Sequence, residues 1–285
     1  TTTRDPRAIR SYATMRLLAL LATASLSLAG TFPPEKLQNL SVTVHAAGGQ
    51  GSGVIITRDN KNYVLTAGHV VDGSRKVTKL LDNTTGESKR HSKFDAVTVV
   101  REVIRDGRSI GKNSIEGEVV AYSSSEYGDD LALIRLRDPI NHESVVFYKD
   151  AAIPSTGTRV SHVGSFLGQD GSNSFSEGQI SQIGRTLYDH VFDQSSCTAF
   201  PGSSGGGIFN AETGEYIGTL VRGSGETFNY YVPIRRVREW AKRHNIEFIF
   251  DENAKPDDSK IVLEGLEPDP DTTIRRYSTK APKTF

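Results

Sequence analysis

The chain has 285 residues, of which 36% are hydrophobic, and its 34 Lys and Arg balance 34 Asp and Glu. This composition excludes a collagen, a coiled coil and a fully disordered chain, and it suits one large globular domain or two small ones. Zero net charge provides no electrostatic reason to bind nucleic acid, and the single cysteine, Cys197, excludes an intrachain disulfide and a paired-cysteine zinc site. Stability must therefore come from a buried core.

The first 29 residues resemble a secretory leader. Arg16 precedes an uncharged, Leu- and Ala-rich stretch at residues 17–29, and the small residues Ser27 and Ala29 suit cleavage before Gly30. The stretch is shorter than the ~20 apolar residues that span a bilayer. We expect a signal peptide cleaved after Ala29 and a secreted or periplasmic protein without a membrane anchor. An apolar terminal helix packed on the domain and a mitochondrial transit peptide are the alternatives.

Short β-branched runs separated by Gly, Asn and Asp fill the middle of the chain. They lie at residues 40–44, 53–57, 62–66, 97–100, 131–136, 178–183, 216–221 and 228–232. Many short strands with turn residues between them favour an all-β sandwich or barrel. The polar, Lys- and Arg-rich region 74–128 predicts extended loops or an extra hairpin.

Helical periodicity is clear only near the end of this middle region. Apolar residues share one face of residues 234–245, and Pro233 can start a helix there. Residues 251–285 follow, with four of the eleven prolines and segregated charges. The pattern predicts a domain at residues 30–250 and a mobile tail at residues 251–285. The tail could be solvated, or it could act as a docking or autoinhibitory strand.

Three local motifs carry possible chemistry. His69 ends an apolar strand in Leu-Thr-Ala-Gly-His, Asp130 opens the run Asp-Leu-Ala-Leu-Ile, and Ser204 lies in the turn Pro-Gly-Ser-Ser-Gly-Gly-Gly. A serine hydroxyl needs a base at neutral pH, histidine can take and return a proton there, and an aspartate can orient the imidazole. Glycines allow backbone N–H groups to converge on a developing oxyanion. Each motif alone is weak, but the order His, Asp, Ser on an all-β background predicts a nucleophilic site.

In these motifs the chain resembles the chymotrypsin-fold (trypsin-like) serine peptidases, within the disulfide-free bacterial and viral branch that includes the HtrA/Deg and glutamyl-endopeptidase families. The matching segments are residues 51–56, 66–70, 130–134, 202–206 and, more weakly, 218–223. The resemblance covers about residues 37–245. It implies an all-β fold of two six-stranded antiparallel β-barrels, a site in the cleft between them, and a C-terminal α-helix at residues 234–245. The tail is too short for the PDZ domain that HtrA relatives carry.

The resemblance also implies roles for individual residues. His69 would be the general base and then the general acid, Asp130 would orient it, and Ser204 would attack the substrate carbonyl. The N–H groups of Gly202 and Ser204 would form the oxyanion hole. Asp129 and Ser203 remain the alternatives for the acid and the nucleophile. The family mechanism needs no metal and no cofactor.

Departures from the family bear on activation and specificity. Ser203 replaces the aspartate with which digestive relatives bind a freshly cut N-terminus, so we expect no such activation switch. The substrate-binding residues are expected to be Thr198, Leu220, Val221, Arg222 and Gly223. Thr198 is not an acid and so does not support a preference for Arg or Lys. Leu220 is not a histidine and so does not support specificity for Glu. Such a pocket suits small or medium uncharged side chains, although Arg222 could instead attract an acidic residue.

The sequence therefore predicts a serine endopeptidase that acts on proteins or peptides through an acyl-enzyme. The alternative is an inactive chymotrypsin-fold protein that keeps the cleft as a peptide-binding or chaperone module. An α/β-hydrolase esterase is not favoured, because those enzymes run Ser, Asp or Glu, His along the chain. The natural substrate and the oligomeric state stay open.

Overall fold

The computed structural model describes residues 30–81, 88–140, 142–149, 154–167, 169–170, 173–187, 189–223 and 227–264. The predicted leader and the end of the predicted tail lie outside these ranges. The helices are α1 (Pro34–Leu40), α2 (Gly68–Val71) and α3 (Ile234–Arg243). The strands are β1 (Ser41–Ala46), β2 (Gly49–Arg58), β3 (Lys61–Thr66), β4 (Arg75–Leu81), β5 (Ser88–Phe94), β6 (Val97–Arg105), β7 (Arg108–Ser123), β8 (Leu131–Leu136), β9 (Arg159–Ser165), β10 (Asn173–Leu187), β11 (His190–Ser195), β12 (Gly207–Asn210), β13 (Tyr216–Gly223) and β14 (Asn229–Pro233).

The strands close into two barrels. The first has the order β1-β2-β3-β8-β7-β6 and the second the order β10-β11-β14-β13-β12-β9, and every pairing in them is antiparallel. The prediction of two six-stranded antiparallel barrels with a C-terminal helix is confirmed. Strands β4 and β5 form a separate two-stranded ribbon inside the region where an extra hairpin was expected.

Two tight turns explain the strand pairing in the first barrel. Asp59 and Asn60 join β2 to β3 with φ of +47° and +60°, and Asp106 and Gly107 join β6 to β7 with φ of +53° and +69°. Two-residue turns with positive φ at both positions match the twist of antiparallel strands, and Asp, Asn and Gly tolerate that conformation best. These local signals set the register next to each turn, and in the β6–β7 hairpin the register shifts between Val103 and Ile104.

Helix α3 buries one apolar face against the barrels. Ile234, Val237, Trp240 and Ala241 are buried on that face. Asn245 follows the helix in a left-handed conformation, with φ of +56°. This conformation lets the Ile246 N–H donate to the Ala241 carbonyl at 2.9 Å, which closes the C-terminal end of the helix. The helix predicted for residues 234–245 is therefore present and ends at Arg243. Within the described ranges no helix has the length and apolar character needed to cross a membrane.

The start of the predicted mobile tail is packed on the first barrel. Asp258 accepts from Lys61 at 2.8 Å, from the Tyr63 hydroxyl at 2.7 Å and from Arg135 at 2.8 Å. Farther on, Glu264 accepts from Arg75 at 2.6 Å. Residues 251–264 thus differ from the expectation, because charges that look solvated in the sequence have partners on the first barrel and on the β4–β5 ribbon. The folded region extends past residue 250 to at least residue 264.

Candidate active site

His69 lies in the short helix α2 directly after β3. A Cβ on the preceding Gly68 would stand 2.2 Å from the Ser123 carbonyl oxygen. The missing side chain therefore lets the histidine turn pack against the loop that leads into β8. The His69 side chain keeps 35% of its surface exposed, so the imidazole remains accessible from solvent.

Asp130, at the entrance of β8, binds both the backbone and the ring of His69. Its Oδ1 accepts the His69 backbone N–H at 3.0 Å and lies 2.9 Å from Nδ1, and its Oδ2 lies 3.1 Å from the same ring nitrogen. Asp130 is 2% exposed and has a left-handed φ of +58°. A carboxylate at Nδ1 favours the tautomer that carries its proton there, and Nε2 is then left as the basic nitrogen.

The neighbouring acid, Asp129, has different partners. Its carboxylate pairs with Arg236 at 2.8 Å and with Arg243, both on α3. Arg236 also donates to the Val191 carbonyl at 2.9 Å, and its guanidinium lies 5.0 Å from the centre of the Phe192 ring. Of the two acids that the sequence left open, Asp130 contacts the imidazole, while Asp129 ties the same loop to the C-terminal helix.

Ser204 lies in the glycine-rich loop between β11 and β12, and this loop packs on the first barrel. The Ser204 carbonyl accepts the Ser52 N–H at 2.7 Å. Gly205 has φ of +89°, and a Cβ there would lie 2.1 Å from the Ser52 carbonyl oxygen and 2.3 Å from Thr66 Oγ1. Because Thr66 lies three residues before His69, this close approach brings the serine loop beside the histidine turn.

A tight turn at residues 200–203 precedes the candidate nucleophile. The Ser203 N–H donates to the Phe200 carbonyl at 2.9 Å, and the Ser203 hydroxyl accepts the Phe200 N–H at 3.2 Å. Gly202 adopts φ of +98° inside this turn. Ser203 is therefore engaged within the turn. Among the described residues, the Gly202 and Ser204 N–H groups donate to no protein acceptor.

A cavity of about 370 Å³ opens beside Ser204. It is lined by Ala199, Phe200, Pro201, Ser204, Leu220, Arg222, Gly223 and Asn229. Three of the predicted substrate-binding residues, Leu220, Arg222 and Gly223, are in this lining. The other two, Thr198 and Val221, are not in the lining. The Thr198 carbonyl accepts from the Ser176 hydroxyl, and Val221 is buried in the core.

Asn229 is a lining residue that the sequence reasoning missed. Its side-chain amide donates to the Cys197 carbonyl at 2.6 Å, and the residue is 1% exposed. A polar residue at the entrance of the aromatic run at residues 228–232 was the available signal. Arg222, on the opposite strand, donates to the Ser125 carbonyl at 2.7 Å and so joins this wall to the loop before Asp130.

Two buried titratable groups lie near the serine loop. Cys197 is buried, and burial raises the pKa of its thiol to about 12, so it is a packed residue rather than a nucleophile. His162 lies beneath the loop, with Nδ1 3.0 Å from the Gly207 carbonyl oxygen, and burial lowers its pKa to about 4. In the regions that the structure covers, no group of three or more His, Cys, Asp or Glu side chains could hold a metal ion.

Comparison with known proteins decides the family. The model of the trypsin-like peptidase domain matches residues 51–218, a span that includes His69, Asp130 and Ser204. The chain belongs to the trypsin-like peptidase family. A CLIP domain-containing serine protease B9 of Anopheles gambiae is 32% identical to this trypsin-like peptidase chain over 142 residues, which are 48% of the chain and 35% of the relative.

Bacterial relatives match a longer part of the trypsin-like chain. The serine protease Do-like HtrB of Bacillus subtilis is 28% identical over 59% of this chain and 31% of its own length. The putative serine protease HhoA of Synechocystis is 29% identical over 67% of this chain and 41% of its own length. The chain thus spans less than half the length of each of these curated relatives.

Solved structures agree with the double-barrel fold. The crystal structure of Deg5 superposes with a TM-score of 0.52 at 20% identity, covering 77% of this chain and 93% of that one. The HtrA-type protease AlgW with a tripeptide gives a TM-score of 0.52 at 23% identity, covering 74% and 62%. At this level of identity the likeness establishes the fold of the trypsin-like domain.

Proposed function

We propose that this chain is a serine endopeptidase in which Ser204 attacks the carbonyl of a peptide bond. The observation that carries the proposal is the binding of the Asp130 carboxylate to His69, at both the backbone N–H and Nδ1. Membership of the trypsin-like peptidase family supports the same activity.

The proposed reaction moves one proton through His69. Nε2 takes the Ser204 hydroxyl proton as Oγ bonds to the substrate carbonyl carbon, and the resulting imidazolium lies against the buried Asp130 carboxylate. The imidazolium then protonates the leaving amine as the peptide C–N bond breaks, which leaves an acyl ester on Oγ. Water repeats the sequence, with His69 as the base, and releases the carboxylic acid product.

The Gly202 and Ser204 N–H groups are the proposed oxyanion donors. Their freedom from protein acceptors, together with the left-handed φ of Gly202, supports this role. Preorganised donors of this kind need no rearrangement as charge develops on the substrate oxygen. Loss of one donor typically lowers kcat by about 10²- to 10³-fold.

Proteins or peptides with uncharged side chains at the cleavage site are the proposed substrates. The cavity beside Ser204 combines Leu220 and Ala199 with the amide of Asn229 and with Arg222, which donates to the Ser125 carbonyl, and no carboxylate is among its lining residues. A pocket without an acid has no means to neutralise a buried Arg or Lys. A peptide-library cleavage profile should therefore favour small or medium neutral residues.

Covalent labelling with a fluorophosphonate tests the nucleophile. The wild type and Ser203→Ala should be labelled, and Ser204→Ala should not, since the adjacent serine is engaged within its turn. Unchanged labelling of Ser204→Ala would refute the assignment. A wild-type chain that binds unfolded casein without labelling or cleavage would instead identify the peptide-binding module considered from the sequence.

Asp130→Asn tests the orienting acid. It should lower kcat by about 10⁴-fold, because an amide no longer favours the required histidine tautomer. Asp129→Asn is the matched control: it weakens the contact of the same loop with α3 but keeps the carboxylate at the imidazole, so its loss of kcat should be much smaller than that of Asp130→Asn. An equal loss of kcat in both variants would contradict the role proposed for Asp130.

A further inference from the structure

Ser52 of β2 is a wholly buried serine that joins the first barrel to the serine loop of the second. Its hydroxyl donates to the Gly202 carbonyl at 2.7 Å and accepts the Ser165 N–H at 2.7 Å. Its own N–H donates to the Ser204 carbonyl at 2.7 Å. The Ser52 carbonyl accepts the Thr66 hydroxyl, also at 2.7 Å, so every polar group of the residue is engaged.

These bonds hold the two residues whose N–H groups are the proposed oxyanion donors. Fixing the carbonyls of Gly202 and Ser204 restrains the backbone torsions on both sides of the nucleophile, because each peptide unit is planar. Gly202 needs this restraint most, since a glycine with φ of +98° has many other conformations open to it. The turn at residues 200–203 restrains the loop from the other side.

We propose that Ser52 is a positioning residue that keeps the oxyanion hole formed through its hydroxyl bond to the Gly202 carbonyl. This inference rests on the proposed peptidase function. A neutral hydroxyl thus stabilises the conformation of the serine loop. The residue before the nucleophile, Ser203, is also neutral. The role depends on packing of the two barrels, because Ser52 and Gly202 belong to different barrels.

Thr43 provides a matched control. Its hydroxyl lies 2.5 Å from the Ser165 hydroxyl, and so forms another buried bond between the barrels that ends on the same β9 residue. Both Thr43 and Ser52 are 0% exposed. Thr43→Val removes a buried hydroxyl from the same interface, and the side-chain bond that it breaks ends on Ser165 rather than on the Gly202 carbonyl.

The test compares steady-state kinetics of the full chain on one peptide substrate with inhibition by the matching peptide aldehyde. Ser52→Ala should lower kcat by about 10- to 100-fold, somewhat less than direct loss of an oxyanion donor, and should change KM by less than about threefold. The inhibition constant of the aldehyde, whose adduct carries an oxyanion, should rise in proportion to the loss of kcat/KM. Thr43→Val should keep kcat within about twofold of the wild type.

Ser52→Cys is a second variant that keeps the test possible if Ser52→Ala does not fold. A thiol is a weaker donor and acceptor, so this variant should lose part of kcat with the same near-constant KM. A kcat loss no greater than that of Thr43→Val, or a loss confined to KM, would overturn the positioning role. A wild type without turnover or fluorophosphonate labelling would refute the peptidase itself and this role with it, whereas an active wild type with unaffected Ser52 variants refutes the role alone.

Discussion

Arg236→Met removes the more buried of the two arginines that pair with Asp129, the neighbour of the candidate catalytic acid. The Asp129 carboxylate receives Arg236 and Arg243 at once, but only 10% of the Arg236 side chain is exposed, against 51% of the Arg243 side chain. The two arginines therefore share one acceptor but differ in solvation, and Arg236 has further contacts with the Val191 carbonyl and the Phe192 ring. Substituting each arginine in turn therefore compares the loss of a buried partner of Asp129 with the loss of an exposed one.

The expected magnitudes follow from this difference. Removing one partner of a buried pair typically costs about 3–5 kcal/mol, because the other charge stays buried without its partner. Arg243 still offsets part of the Asp129 charge, so we expect Arg236→Met to lower the free energy of unfolding by about 3 kcal/mol, the lower end of that range. Arg243→Met breaks a largely solvated pair and should cost less than about 1 kcal/mol.

Urea unfolding at pH 7 measures both variants, and Asp129→Asn completes a double-mutant cycle with Arg236→Met. The coupling energy in that cycle should exceed about 1 kcal/mol, as contacting buried charges are not additive. Arg236→Met should also lower kcat, since the loop that it anchors holds Asp130. Equal destabilisation by the two arginine substitutions, or additivity in the cycle, would refute the assignment of the buried pair.

Three further predictions concern pH, backbone conformation and the C-terminal segment. Because burial lowers the pKa of His162 to about 4, the unfolded state binds a proton that the folded state does not between pH 6.5 and 4. Stability should therefore fall as the pH decreases through that window, by at most about 3 kcal/mol, and urea unfolding of His162→Leu should show a weaker pH dependence. Gly205→Ala should unfold at lower urea concentration and lose fluorophosphonate labelling, because its Cβ would stand 2.1 Å from a carbonyl oxygen; a stable, fully labelled variant would contradict the close approach. Truncation after residue 250 should give a lower thermal midpoint than truncation after residue 264, whereas equal midpoints would show that residues 251–264 contribute nothing.

The motifs of the candidate site could be predicted because each depends on local chemistry. The histidine follows an apolar strand, and the serine lies among glycines. The choice between Asp129 and Asp130 could not be made locally with the same force. The partner that draws Asp129 away, Arg236, lies 107 positions farther along the chain.

Strand β9 was not predicted, and the cause is different. Strand β9 contains the buried polar residues Ser161, His162 and Ser165, so it lacks the apolar alternation by which strands are recognised. The Ser165 N–H and hydroxyl find their partners on the first barrel, in Ser52 and Thr43. Polar groups that are satisfied only by tertiary contacts look like loop residues in a sequence.

The same kind of contact organises the candidate site. His69 and Asp130 belong to the first barrel and Ser204 to the second, so the three groups can act together only if the barrels keep a fixed register. Ser52 supplies three hydrogen bonds across that boundary, and the buried pair of Asp129 and Arg236 joins the first barrel to the helix that follows the second. Neutral hydroxyl bonds of this kind do not titrate near neutral pH and require no newly cut N-terminus. The arrangement therefore makes the geometry of the serine loop depend on the packing of the two barrels.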